Sequence, residues 1–298
     1  TLHSVTNYAL HKALYSGHND HNYFEIAHTV KYLQNMGNLD LYNFVDNHDV
    51  ERIYTKLSNK AHFTPVHILL YTLPGVPSIY YGSEFGIEGR KERSSDDSLR
   101  PALSLDDYET ALGDNPCTAL IAALGQIRQH TPALSYGSYA ELHLTNRQFA
   151  FARDLNDVRV VVTVNNDDNA ASMDLPAGNS VEYIGALSGQ KVAVQDGRIN
   201  VTVPANSGEI WVPAGNMPEY KPFKVEISVK EETVTDEESI PADSEAPSSA
   251  TEPVHFDPNK SPEDMSVAEL QAAILAKMAN NGPVSELVKE FPLIFFPF

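Results

Sequence analysis

Leu39-Asp40-Leu41-Tyr42-Asn43-Phe44-Val45-Asp46-Asn47-His48-Asp49 is a buried-type strand that runs into an almost wholly polar tip. Leu41, Phe44 and Val45 can pack in a core, whereas Asp46, Asn47, His48 and Asp49 cannot be buried without partners. In parallel α/β folds the active site forms at the carboxyl ends of the strands. A strand that ends in two carboxylates, an amide and an imidazole therefore reads as one wall of a site. The same residues also fit an acidic surface loop that caps a helix, and this stretch alone does not separate the two readings.

Downstream comes Leu73-Pro74-Gly75-Val76-Pro77-Ser78-Ile79-Tyr80-Tyr81-Gly82-Ser83-Glu84. In this order and at this spacing the two stretches resemble the alpha-amylase family of glycoside hydrolases. That family carries a Phe-x-x-x-His-Asp end on the seventh strand of a (β/α)8 barrel and a Gly-x-Pro-x-x-Tyr-x-Gly eighth strand. The wording Phe44-Val45-Asp46-Asn47-His48-Asp49 and Ile79-Tyr80-Tyr81-Gly82 is most similar to the neopullulanase, cyclomaltodextrinase and maltogenic amylase branch. The resemblance implies an α/β chain: the C-terminal part of a (β/α)8 TIM barrel, about strands six to eight, then an all-β sandwich; composition adds a largely disordered acidic tail. The resemblance also implies an α-1,4-glucan substrate such as maltodextrin, cyclodextrin, starch or pullulan.

Roles carry over residue by residue. Asp49 matches the family's third essential carboxylate, which binds sugar hydroxyls and stabilises the oxocarbenium-like transition state without moving a proton or forming a bond. His48 matches the substrate-binding histidine beside it, and Asn47 is grouped with it as a substrate contact. Arg52 is adjacent and polar, with no role assigned. Asp96 and Arg100 have the Asp-x-x-x-Arg spacing with which related enzymes hold a glucose unit behind the cleavage site. Their flanking residues depart from the usual wording, so a surface ion pair stays open as the other reading. Gly75, Pro77 and Gly82 read as backbone geometry. The eleven histidines show no ligand spacing, so neither a metal nor a cofactor is expected.

Composition restricts the partners. A formal net charge of -19 repels nucleic acid and anionic membrane, whereas a neutral sugar is indifferent to it. The lone cysteine, Cys117, excludes an internal disulfide and fits either a reducing compartment or a disulfide-free secreted protein. No apolar run approaches the roughly 20 residues that span a bilayer. Residue 1 is Thr, so a preceding segment is expected and the compartment is left open. A homodimer of the full-length enzyme is compatible with the resemblance.

Working outward, residues 3–7 read as a strand, the sixth by resemblance, and Tyr8 to Tyr15 continue it with apolar spacing. Gly17 to His21 read as a loop. Ile26, Val30 and Leu33 then recur at helical spacing, with Gly37 as a left-handed stop. Thr64-Pro65 reads as the cap and first residue of the next helix, and Asn115-Pro116 as those of the last, whose Leu120, Leu124 and Ile127 form one stripe. This barrel portion spans 1–134.

From 135 to 215 the period becomes two. Val158, Val160, Val162 and Val164 alternate, as do Ile199, Val201 and Val203, between turn signals such as Asn156-Asp157, Asp196-Gly197 and Asn206-Ser207-Gly208. This predicts a β-sandwich. Residues 216–260 read as a disordered linker, because 231–257 hold nine acidic side chains and no Lys or Arg. Residues 261–298 read as a short helical tail opened by the capping box Ser266 to Glu269 and closed by a Pro-interrupted apolar end.

A complete barrel takes about 250 residues, so three strand-helix units fit before the sandwich. A retaining mechanism needs a nucleophilic carboxylate and a general acid, which in the family come from strands four and five. Upstream of the Asp46–Asp49 tip the candidates are Asp20, Glu25 and Asp40, in loop or helix settings that do not match. The expectation is thus a catalytically incomplete part of a hydrolase, or else a truncated product that at most binds sugar.

Overall fold

In the computed structural model, which describes residues 4–35 and 40–216, the opening stretch becomes the middle of a three-stranded parallel sheet. Strand β2 (Asp40–Phe44) lies between β1 (Ser4–Thr6) and β3 (Val76–Ser78), with Val5 opposite Leu41, Tyr42 opposite Val76 and Phe44 opposite Ser78. Parallel neighbours require crossovers. Helices α1 (Tyr8–Asn19) and α2 (Tyr23–Gln34) make the first; α3 (Ile53–Lys56), a 3₁₀ turn (Lys60–His62) and α4 (Phe63–Thr72) make the second. Beyond β3 come α5 (Ala111–Asp114), α6 (Pro116–His130) and α7 (Pro132–Tyr136).

Two helix starts differ from the sequence reading. The segment after β1 is a helix from Tyr8, capped by Asn7, whose side-chain oxygen accepts the Leu10 N–H at 3.0 Å. Gly17, His18 and Asn19 belong to that helix, so the loop read over Gly17 to His21 shrinks to the turn around Asp20 and His21. Close packing is the cause: a Cβ on Gly17 would stand 2.9 Å from Ile26, so glycine here lets α1 rest against α2. His18, polar in the sequence, is fully buried between the Leu14 carbonyl and the Tyr23 hydroxyl. Likewise Thr64 and Pro65 lie inside α4. Asn59 caps the preceding 3₁₀ turn by accepting the Ala61 N–H at 3.0 Å, and that turn runs straight into α4. Asn115-Pro116 opens α6 as read, with the Asn115 side chain accepting from Cys117 N and Thr118 N. Gly75 takes φ +117°, and a Cβ there would meet Asn43 Nδ2 at 2.6 Å and the Leu41 carbonyl at 2.7 Å.

The second layer is the predicted sandwich. Strands β4 (Ser138–Leu144), β5 (Gln148–Leu155), β6 (Val158–Asn165), β7 (Ala171–Pro176), β8 (Glu182–Gly185), β9 (Lys191–Ala193), β10 (Arg198–Val203) and β11 (Ser207–Pro213) form a six-stranded sheet, order β4-β5-β6-β11-β8-β9, faced by the antiparallel pair β7–β10. The turn residues Asn156, Asp196 and Asn206 all take positive φ, which Asn and Asp tolerate. Strand β10 alternates as its sequence predicts, with Ile199, Val201 and Val203 buried and Arg198, Asn200 and Thr202 exposed. Strand β6 does not: every residue from Val160 to Asn165 is buried. Val160, Val162 and Val164 pack with Val66, Leu69 and Leu70 of α4, while Val161 faces Met173, Ile199 and Trp211 of the opposite layer. The sheet is therefore sandwiched on both faces, and one apolar core runs through the helices into it.

Two guanidiniums, that of Arg153 buried and that of Arg128 half-buried, close the join. Arg153 on β5 donates to the carbonyls of Thr72 (2.6 Å) and Gly137 (2.9 and 3.2 Å). Arg128 on α6 donates to those of Tyr71 (2.6 Å), Leu134 (2.9 Å) and Gly75 (2.7 Å). Tyr71 and Thr72 end α4, so the cations satisfy its last carbonyls and the negative end of its dipole. Among the described residues no helix is long and apolar enough to cross a membrane. The Gly37 stop, the acidic linker and the tail helix with its apolar end lie outside the described residues.

Candidate active site

Strand β2 delivers its side chains in a fixed sequence. Phe44 is buried and stacked on the His11 ring, 4.8 Å between centroids, and the Val45 carbonyl lies 2.8 Å from His11 Nδ1. Asp46 then turns inward, 1 % exposed, with the partners such burial demands: its carboxylate accepts the Ile53 N–H at 2.8 Å and the Ser83 hydroxyl at 2.8 Å. Burial pushes its pKa up, against the pull of these hydrogen bonds and of the Arg52 charge.

Asn47 reverses the chain. Its side-chain oxygen accepts the N–H groups of Asp49 (2.8 Å) and Val50 (3.2 Å), an Asx turn that throws His48 and Asp49 out past the carboxyl end of β2. Its amide nitrogen reaches the Tyr8 hydroxyl at 3.4 Å. Asp49 is engaged at both oxygens, by His48 Nε2 at 3.2 Å and by Arg100 Nη2 at 3.2 Å. The same Nη2 sits 3.1 Å from Asp96, and Arg100 Nε donates to the His48 carbonyl at 3.1 Å. All five residues singled out from the sequence therefore meet in one cluster, although Asp96 and Arg100 come from a loop beyond β3.

Asp49 and Arg100 side chains are 49 % and 46 % exposed. Ion pairs so open to water contribute about 0–1 kcal/mol, so the cluster is poorly explained as a stabilising device. Its chemistry fits a polyhydroxyl ligand: carboxylate oxygens accept hydroxyl protons, guanidinium and imidazole supply donors, and aromatic faces stand close by. Tyr80 lies 6.4 Å from the His48 ring, and Tyr81 and Tyr8 are each 42 % exposed.

Sequence reasoning missed Lys91, whose ammonium donates to the Asp49 carbonyl at 2.8 Å and stands 3.3 Å from Asp96. In the sequence it is one cation of the polar run Arg90-Lys91-Glu92-Arg93, and nothing local distinguishes it from its neighbours. Ser83 was missed for the same reason. The three carboxylates upstream of Asp46 stay apart from the cluster: Asp20 ends α1, Glu25 pairs with Lys12, and Asp40 begins β2 at the end opposite Asp49.

Comparison with known proteins bears on the fold that carries this cluster. Residues 5–137 match the alpha amylase catalytic domain, and residues 137–211 match the alpha-amylase C-terminal domain. A cyclomaltodextrin glucanotransferase of Niallia circulans is 28% identical over 180 residues, 58% of this chain and 24% of that protein. Neopullulanase 2 of Thermoactinomyces vulgaris is 26% identical over 175 residues, 57% of this chain and 29% of that protein. The chain thus spans about a quarter of the length of the curated relatives it matches. In fold, an Anoxybacillus alpha-amylase superposes with a TM-score of 0.61 at 20% identity, over 73% of this chain and 48% of that one. With its strand ends, its following sandwich and the two domain matches spanning residues 5–211, the chain belongs to the alpha-amylase family of glycoside hydrolases.

Proposed function

We propose that this chain forms the substrate-gripping and charge-stabilising wall of a retaining glycoside hydrolase that cuts α-1,4-linked glucans in the manner of the neopullulanase and cyclomaltodextrinase branch. One observation carries the reading: the half-exposed Asp49 carboxylate stands past the end of the central parallel strand, with His48 on one oxygen and Arg100 on the other. Members of the family bind α-glucans. Asp49 is the transition-state stabiliser. A positive anomeric centre that develops only near the transition state feels this charge more strongly there than in the ground state. His48 and Asn47 contact the sugar at the cleavage site, and Asp96 with Arg100 holds a unit further along the chain. The nucleophile and general acid of a retaining mechanism are not presented at the strand ends by the described residues, so turnover needs both from outside them.

A second reading, a sugar-binding module without turnover, is favoured by the same shortage of carboxylates and by the outer edges of β1 and β3, which have no strand partner among the described residues. The two share a test of binding and part at turnover. Titration calorimetry with maltohexaose should show binding that is weakened by His48→Ala and by Arg100→Ala. No heat with maltohexaose or β-cyclodextrin in the folded chain would sink both readings. In an enzyme that combines this wall with the two other carboxylates, Asp49→Asn should lower kcat by roughly 10²- to 10³-fold at nearly unchanged stability. A near-normal kcat there would leave only the binding module.

A further inference from the structure

Among the described residues Arg52 is the most deeply buried cation of the helical layer, 0 % exposed, and its side-chain hydrogen bonds go to carbonyls and a hydroxyl, not to a carboxylate. Its Nη1 donates to the Tyr81 carbonyl at 2.5 Å and to the Ser83 hydroxyl at 3.1 Å, and its Nη2 donates to the Leu99 carbonyl at 2.8 Å. Its guanidinium lies 4.4 Å from the centroid of the Tyr80 ring. The backbone N–H of Arg52 meets the Gly89 carbonyl at 3.0 Å, and a Cβ on Gly89 would stand 2.8 Å from Arg52 Cγ. Ser83 completes the connection: its hydroxyl accepts from Arg52 and passes its own proton toward the buried Asp46 carboxylate. A chain of one cation, one hydroxyl and one carboxylate thus runs beneath the exposed cluster.

Its ends fall at informative places. Asp46 is three residues before Asp49 on the β2 tip. Leu99, whose carbonyl Arg52 holds, is the residue before Arg100. The fork of Arg52 therefore grips the segments after β3 at Tyr81, Ser83 and Leu99, while its own backbone belongs to the segment that carries Asp49.

We infer that Arg52, Ser83 and Asp46 act together as positioning residues, setting the distance between the Asp49 loop and the Asp96–Arg100 loop so that both engage one sugar chain. The inference rests on the α-glucan reading for its sugar, but not for its geometry. Lysine in place of Arg52 keeps the charge and loses the planar fork, so it cannot hold Tyr81 and Leu99 together. Alanine in place of Ser83 removes the one hydroxyl that joins the two charges.

The test uses the folded chain with Ser83→Ala and Arg52→Lys, and Thr118→Ala as control; Thr118 donates to the Glu84 carbonyl at 2.8 Å, beside Ser83 but outside the chain of contacts. Two signals are read: the ring carbon–proton resonances of His48, and maltohexaose affinity by calorimetry. Both Ser83→Ala and Arg52→Lys should displace the His48 resonances and weaken maltohexaose by about tenfold or more, the scale expected when binding groups are misplaced by a fraction of an ångström to an ångström. The control should do neither. A purely structural role would lower the melting temperature and leave both signals of the folded protein where they were, and that result overturns the inference. If His48 moves in the variants while the unsubstituted chain ignores maltohexaose, positioning stands and the sugar reading falls. If the unsubstituted chain binds and the variants match it, the reverse holds.

Discussion

Acid should unfold this protein earlier than its many carboxylates suggest, because burial lowers the pKa of four histidines, His11, His18, His62 and His67, the first, second and fourth of them strongly. Burial lowers His11 and His67 to about 4 and His18 to about 3. In the unfolded chain each returns to roughly 6.5. As the pH falls below that value the unfolded chain takes up protons that the folded one refuses. Stability is therefore complete above about 6.5 and is lost on the way down to each folded value. At pH 5 each histidine costs about 2 kcal/mol relative to pH 8, about 6 kcal/mol for the three, at about 1.4 kcal/mol per pH unit per proton. Asp46 acts in the opposite sense, since burial raises its pKa and acid relieves it, but it is one group against three. A domain holds about 5–15 kcal/mol in all, so the loss takes much of the stability. Urea unfolding at pH 8, 7, 6 and 5, followed by tryptophan fluorescence of the buried Trp211, measures it directly. Replacing His67 by leucine should flatten the pH 5–6 slope by about one proton's worth. Stability at pH 5 within about 1 kcal/mol of that at pH 8 would refute the neutral-buried assignment.

Removing Arg153 as Arg153→Leu strands the Thr72 and Gly137 carbonyls and should cost about 2–4 kcal/mol, seen as a lowered urea midpoint with unchanged m-value. Gly75→Ala forces a side chain into φ +117° against Asn43 and should cost about 2 kcal/mol or more; a neutral outcome by thermal melting would deny the strain. The 298-residue chain should release no reducing sugar from maltooligosaccharides above a buffer control. Release that Asp49→Ala abolishes would mean that another residue supplies the missing acid or nucleophile.

Features written locally in the sequence were the legible ones. The Asn115-Pro116 cap, the left-handed turn residues Asn156, Asp196 and Asn206, and the alternation of β10 each depend on a few adjacent residues, and each appears as read. Asp49 and His48 were legible from a strand-end motif and Asp96 and Arg100 from their Asp-x-x-x-Arg spacing, but only the fold shows the four side by side. What escaped depends on partners far along the chain. Gly17 and His18 look like loop residues until Ile26 and Tyr23 surround them. Val161 and Thr163 look like the solvent side of an alternating strand until β7, β10 and Trp211 cover them. Arg52, Ser83 and Asp46 show no spacing that announces their contact, since Asp46 and Arg52 come before β3 and Ser83 after it.

The core shared by α4 and β6 limits how this protein can be taken apart. A cut near Gly137 looks natural on paper, since it falls between two family matches and just before the first strand of the sandwich. It would nevertheless peel Val160, Val162, Val164, Ile210 and Val212 off the helices that cover them and leave Arg153 with no helix end to hold. The excised sandwich would carry a raw valine face into water and self-associate, so it is a poor candidate for transplantation as a stand-alone tag or fusion partner.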